Sequence, residues 1–337
     1  MANDLFKLTR TAVACACIAL VLFPICCLFV VNPDSFVSAS KQFNSLFSKN
    51  DSKIIWTPPL ISKLTESAED QLIKYGRELI VHTSVYLGPK GKVNAISNGM
   101  NCQNCHLDAG TKIFANNFSA VASTYPKFRA RSGTIETIEK RVNDCFERSL
   151  NGQALAEDTK EMRALVAYLK WIGKEVDKNV TPFGASVVDL VYLDRKADSI
   201  KGKIIYHLQC VRCHGEDGDG VMEENKSEWK YPPVFGEKSF NVGAGLYRLT
   251  RFAGYIKSNM PNDISSYEKP LLTDDEAWDV SAYVLSMSRP SKDFSKDWPN
   301  ISLKPFDLPI GPYADQFSES QHKLGPFPPI IAKAKTK

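Results

Sequence analysis

The sequence predicts a mainly α chain in which two similar units stand in tandem, and three observations carry that prediction. A Cys-x-x-Cys-His run occurs twice, as Cys102-Gln103-Asn104-Cys105-His106 and as Cys210-Val211-Arg212-Cys213-His214. Each copy lies between segments whose apolar residues recur at helical spacing. No strand pattern of useful length interrupts either stretch. A chain of 337 residues has room for about two domains. With 43% hydrophobic and 24% charged residues it falls in the ordinary globular range, which excludes disordered, collagen-like and polytopic membrane chains. The net charge of +4 gives no support for nucleic-acid binding.

Taken in order, the first element is residues 12–31, twenty positions without a charge, preceded by Lys7 and Arg10 and followed by Asn32-Pro33-Asp34. Such a run is an export signal or a membrane anchor. It is long enough to cross a bilayer, although Pro24 sits in its middle. Val37-Ser38-Ala39 offers a small-residue cleavage site, so removal and retention of residues 1–39 both stay open. Either outcome puts the rest of the chain in the periplasm, because the basic residues stay inside. Cys15, Cys17, Cys26 and Cys27 in this run read as small apolar residues.

The first unit opens with a helix over residues 69–82, with Leu72, Ile73, Leu79 and Ile80 at helical spacing, and residues 200–208 play the same part in the second. In Cys-x-x-Cys-His two thiols can bond the two vinyl groups of one haem while the following histidine ligates its iron. A zinc site would want four Cys/His ligands in pairs, and a redox dithiol would want a βαβ context. Two complete copies in an exported chain favour covalent haem. A Tyr-Pro pair follows each motif, Tyr125-Pro126 and Tyr231-Pro232. Each unit closes with a helix opened by a capping box, Asp158-Thr159-Lys160-Glu161 and Thr273-Asp274-Asp275-Glu276. Met162, Leu165, Tyr168, Leu169 and Ile172 form one stripe, and Trp278, Ala282, Tyr283 and Leu285 roughly mirror it. In a cytochrome c fold such a stripe packs on the unit's first helix.

The expected architecture is therefore mainly α, with two cytochrome c-like haem domains at residues 60–175 and 199–290 and a linker at 176–198. Beyond Arg289-Pro290 a proline-rich tail, 291–337, is expected to run extended over the surface to a solvated end with Lys333, Lys335 and Lys337.

A haem that only shuttles electrons needs a sixth ligand. For the second haem, Met260 before Pro261 is the leading candidate and Met222 a weaker one, with core packing as the plain alternative for Met260. The first haem has no comparable methionine, because Met162 belongs to the closing helix and Met100 is too close to the motif. A helix over residues 134–150 instead carries Arg141, Cys145 and Arg148 at i, i+4 and i+7. Guanidinium groups on both sides favour the thiolate of Cys145, a strong, soft iron ligand. A buried inert cysteine between surface arginines is the competing reading.

The segment Gly99-Met100-Asn101-Cys102-Gln103-Asn104-Cys105-His106 is followed by Tyr125-Pro126-Lys127-Phe128-Arg129-Ala130-Arg131-Ser132-Gly133 and Arg141-Val142-Asn143-Asp144-Cys145-Phe146-Glu147-Arg148. Together these resemble the dihaem thiosulfate dehydrogenases. Phe240-Asn241-Val242-Gly243-Ala244-Gly245 and Ile256-Lys257-Ser258-Asn259-Met260-Pro261 are similar to the electron-exit half of that family. The resemblance covers about residues 60–290. It implies oxidation of two thiosulfates to tetrathionate at a haem ligated by His106 and Cys145, with Cys145 also bonding the outer sulfur of thiosulfate. It further implies that Arg131 and Arg141 flank the substrate, and that electrons leave through a haem held by His214 and Met260 to an external acceptor such as a c-type cytochrome. A reaction running towards tetrathionate reduction, a non-catalytic dihaem electron carrier and a Sox-type cytochrome that loads thiosulfate onto a carrier are the alternatives. The carrier role would leave Cys145, Arg131 and Arg141 without purpose.

Overall fold

A computed structural model describes residues 56–224 and 226–334. The apolar run at 12–31 and its cleavage site lie outside the described residues, as do Lys335 and Lys337. Among the described residues no helix is long and apolar enough to cross a membrane.

Helix α1 (Ala68–Val81) starts where the Ser67 side chain accepts from the Asp70 amide, with Glu69 and Asp70 in the first turn to complement the helix dipole. Its buried Ile73, Leu79 and Ile80 face the closing helix of the first unit, Lys160–Ile172, whose predicted stripe is buried throughout. At this crossing stands Gly76, where a Cβ would lie 2.0 Å from the carbonyl oxygen of Ala164. The second unit repeats the device. The helix Ser199–Gln209, capped by Asp198, crosses the helix Asp274–Ser286 at Gly202, where a Cβ would lie 1.9 Å from the Asp279 carbonyl oxygen. The duplication is thus an identical glycine-mediated helix crossing as well as a repeated motif. Substituting Gly76 with alanine should force the two helices apart. It should cost about 1–3 kcal/mol, read as a lower midpoint in thermal unfolding of the haem-loaded protein.

Between these helix pairs the structure departs from expectation in four places. Residues 134–136 are not helical: β1 (Lys127–Arg129) pairs antiparallel with β2 (Thr134–Glu136), and helix α2 (Ile138–Arg148) begins only after Thr137, whose side chain accepts from the Lys140 amide. The β-branched run Thr134-Ile135 after a turn at Gly133 (φ 68°) favours the ribbon over a helix start. A second short ribbon joins β3 (Val221–Met222) to β4 (Trp229–Tyr231). Of the two capping boxes only Thr273 with Glu276 is reciprocal, at 2.8 and 3.2 Å. In the first unit Thr159 is the cap, so its third helical residue is Met162, and Glu161 instead accepts from the Tyr75 hydroxyl at 2.9 Å.

The fourth departure is the tail. It is not extended over the surface: it contains the short helices Glu319–Leu324 and Pro328–Ala334, and it buries Trp298, Leu308, Phe327 and Ile330. Phe327 and Ile330 belong to the same apolar cluster as Trp278 and Tyr206 of the second unit. The prolines break regular structure, but the apolar residues between them complete a core. Asp307, fully buried, accepts from Arg248 Nε at 2.7 Å and anchors the tail to the start of the helix Leu249–Asn259.

Candidate active site

Each Cys-x-x-Cys-His run opens into its own cavity. The first, about 280 Å³, is lined by Cys102, Cys105, His106, Arg141 and Cys145 among others. The second, about 520 Å³, is lined by Cys210, Cys213, His214 and Met260. In both, the histidine Nδ1 faces a backbone carbonyl, which can only accept, so Nδ1 carries the proton and Nε2 keeps its lone pair. The acceptor is Asn116 O for His106 and Pro232 O, at 2.8 Å, for His214. The two Tyr-Pro pairs are therefore not equivalent, since only Pro232 serves its histidine. Burial pushes His106 down to about 4, with the Arg141 charge adding to it, and burial lowers His214 as well. Each cavity thus offers two thiols and one neutral imidazole of fixed tautomer, the donor set that haem c requires.

Cys145, from α2, also lines the first cavity. The helix is held in register by buried Phe146 and by Asn143, which exchanges hydrogen bonds with Leu155 in both directions at 3.0 and 2.9 Å. Arg141, one turn earlier, lies in the same cavity, and the charge on Cys145 is the main reason its proton is held more tightly than usual. Met100 lines the second cavity and Met162 is buried in its helix, so neither methionine reaches the first. In the second cavity Met260 follows directly on the helix Leu249–Asn259, whereas Met222 sits in β3 and does not line it.

Two arginines stand elsewhere than the sequence suggests. Arg148 does not flank Cys145 within the cavity; its Nη2 donates to Asp297 Oδ1 at 2.9 Å. Arg131 does not line the cavity either. Its Nη1 donates to Gly243 O at 2.7 Å and lies 3.7 Å from Asp297 Oδ2, with the Trp298 ring 4.7 Å from its guanidinium carbon. Burial, then the neighbouring Arg148 charge, pushes Arg131 down to about 10. The physical reason is a carboxylate and an indole brought by the tail, which outcompete an open cavity for both guanidinium groups. What lines the cavity in their place is Lys127 and Arg129 of β1. Their signal was the alternation Lys127-Phe128-Arg129, too short to count as a strand pattern.

The two cavities adjoin. Asn101, Asn104, Cys105 and Leu107 of the first motif region also line the second cavity. Tyr255, buried on the helix Leu249–Asn259, donates its hydroxyl to Asn104 O at 3.0 Å. Glu228 beside β4 accepts from Asn101 Nδ2 at 3.0 Å and lies 3.0 Å from His82 Nδ1. Asn241 of the second unit accepts the end of α2: its amide donates to Arg148 O at 3.1 Å and its Nδ2 to Glu147 O at 2.9 Å.

Comparison with known proteins agrees with this geometry. A family described as SoxA/TsdA, cytochrome c domain, matches residues 92–176, and the cytochrome c family matches residues 199–288. Thiosulfate dehydrogenase from Allochromatium vinosum is 35% identical over 238 residues, covering 69% of this chain and 84% of that protein. The protein of the same name from Psychrobacter arcticus is 37% identical over 209 residues, covering 61% and 62%. Among solved structures, thiosulfate dehydrogenase (TsdBA) from Marichromatium purpuratum superposes with a TM-score of 0.64 at 29% identity over 70% of this chain. This chain spans half the length of that one. The two cytochrome c domains imply two covalently bound haem c groups. With two such cavities side by side and relatives of this name matched along most of their length, the chain belongs to the thiosulfate dehydrogenase family.

Proposed function

We propose that the protein oxidises two thiosulfate ions to tetrathionate in the cavity of His106 and Cys145, and passes the two electrons through the second site to an external acceptor such as a c-type cytochrome, in the periplasm. The observation that carries this reading is the meeting of Cys145 and Arg141 with Cys102, Cys105 and His106 in one cavity. Cys102 and Cys105 would hold the first haem as thioethers, and His106 and Cys145 would bind its iron. Cys210, Cys213, His214 and Met260 would hold the second. When bound, each haem accepts one electron at a time, which suits a reaction that releases two.

The residues of the chain supply the rest. The Cys145 sulfur bonds the outer sulfur of the first thiosulfate, and the new S–S bond leaves two electrons to be carried away. The outer sulfur of a second thiosulfate then attacks that bond, forming tetrathionate and releasing Cys145 as the thiolate. Run backwards, the same steps reduce tetrathionate. Two dianions 5 Å apart repel by about 13 kcal/mol at an effective dielectric of about 20. The reaction therefore needs fixed positive charge close to Cys145. Arg141 supplies one such charge, fixed one helical turn from Cys145 in the wall of the same cavity.

Purified haem-loaded protein mixed with thiosulfate and ferricyanide should form one tetrathionate for every two ferricyanide reduced. A fully loaded protein that makes no tetrathionate would leave only an electron carrier.

A further inference from the structure

The charges around Cys145 do not balance with Arg141 alone. Arg141 stands one helical turn from Cys145 in this cavity and supplies a single positive charge for two incoming dianions. Arg131 and Arg148 face Asp297 outside the cavity. The remaining cations of the cavity wall are Lys127 and Arg129. Strand alternation puts both on the inner face of the β1–β2 ribbon, while Phe128 and its partner Ile135 point outward, 55% and 73% exposed. Arg129 has an acidic neighbour, Glu136, at 4.0 Å. Lys127 has no carboxylate within 4 Å among the described residues, and its Nζ stands 5.2 Å from the Tyr125 ring centre. Glu136, its partner in the strand register, lies nearer Arg129, so Lys127 is a half-buried cation beside two guanidinium groups without an ion pair of its own, which suits an anion.

We propose that Lys127, backed by Arg129, binds the sulfonate end of the second thiosulfate, and hence one end of tetrathionate. This rests on the function proposed above. Arg141 stands one helical turn from Cys145 and serves the ion that bonds there, whereas Lys127, on the β1–β2 ribbon, meets the ion that arrives later. Burial, then the charges of Arg129 and Arg141, lower the affinity of Lys127 for its proton, and a bound sulfonate relieves that stress. No new bond forms at Lys127; it positions the sulfonate while the outer sulfur reacts.

The test uses the haem-loaded full chain as wild type, Lys127→Gln and Lys127→Arg, with unchanged haem absorption confirming the fold. Two readouts are taken: steady-state thiosulfate oxidation, and calorimetric binding of tetrathionate to the oxidised protein without an electron donor. In Lys127→Gln, KM for thiosulfate should rise about tenfold with a much smaller change in kcat, and tetrathionate should bind about tenfold more weakly. The salt dependence of kcat/KM should become shallower. Lys127→Arg should recover most of the binding. An unchanged KM with unchanged tetrathionate affinity overturns the proposal, as does a fall in kcat alone. Should the wild type fail to make tetrathionate, the proposed function falls, and the calorimetric arm repeated with thiosulfate still decides whether Lys127 is an anion site.

Discussion

Replacing Cys145 with alanine should lower kcat/KM for thiosulfate at least about a thousandfold, a loss on the order of 4 kcal/mol of transition-state stabilisation. The expectation follows from the two duties proposed for one sulfur, holding the haem iron and bonding thiosulfate. Haem attachment should survive, because Cys102, Cys105 and His106 precede α2 and do not depend on it. The helix should also survive, since Phe146, the Asn143–Leu155 pair and the Asn241 cap all hold it independently of the thiol. The ferric spectrum gives a separate reading: the thiolate charge-transfer band should be present in the wild type and absent in the variant. Cys145→Ser, which keeps a polar atom of similar reach but loses the soft sulfur, should lose the band and nearly all the activity. A Cys145→Ala protein with more than about a tenth of wild-type turnover would remove Cys145 from the chemistry.

What was legible in the sequence was local. The Cys-x-x-Cys-His spacing is closed within five residues, and the stripe Met162, Leu165, Tyr168, Leu169 and Ile172 repeats within one helix, so both could be read without knowing the fold. Arg141 and Cys145 share a helix face, and that too needs only the helical period. The partners of Arg131 were illegible for the opposite reason. They are Gly243, 112 residues away, and the tail residues Asp297 and Trp298, and nothing in the neighbourhood of Arg131 announces them. The same holds for Arg148, whose partner is 149 residues on. Lys127 and Arg129 were missed because a three-residue strand gives too few alternations to separate from chance. The capping box at residue 158 slipped by one position because Asp158 and Thr159 are both good caps, and packing of Met162, not propensity, chose between them. Even the tail was misread on composition: its prolines suggested an extended strap, while Phe327 and Ile330 were needed by a core that is visible only in three dimensions.

The tail also carries the second large effect, because Asp297 is where it meets Arg131 and Arg148 of the first unit. Its side chain is only 7% exposed and lies between Arg148, 11% exposed, and Arg131, 18% exposed. Arg148 Nε and Nη1 have no hydrogen-bond partner, so Asp297 is the chief compensation for a buried cation. Asp297→Ala would leave two guanidinium groups facing each other, and losing one partner of a buried pair costs about 3–5 kcal/mol. The thermal midpoint of the haem-loaded protein should fall by on the order of 5–10 °C. Activity should fall too, since Arg148 ends the helix that carries Cys145 and Arg131 ties the ribbon of Lys127 and Arg129 to Gly243. Asp297→Asn keeps the acceptor at Oδ1 and loses only the charge, so it should be the milder variant in both measurements. If Asp297→Ala melts within a degree of the wild type and turns over at the same rate, Arg131 and Arg148 must find other partners. The tail would then cover the first unit without holding it.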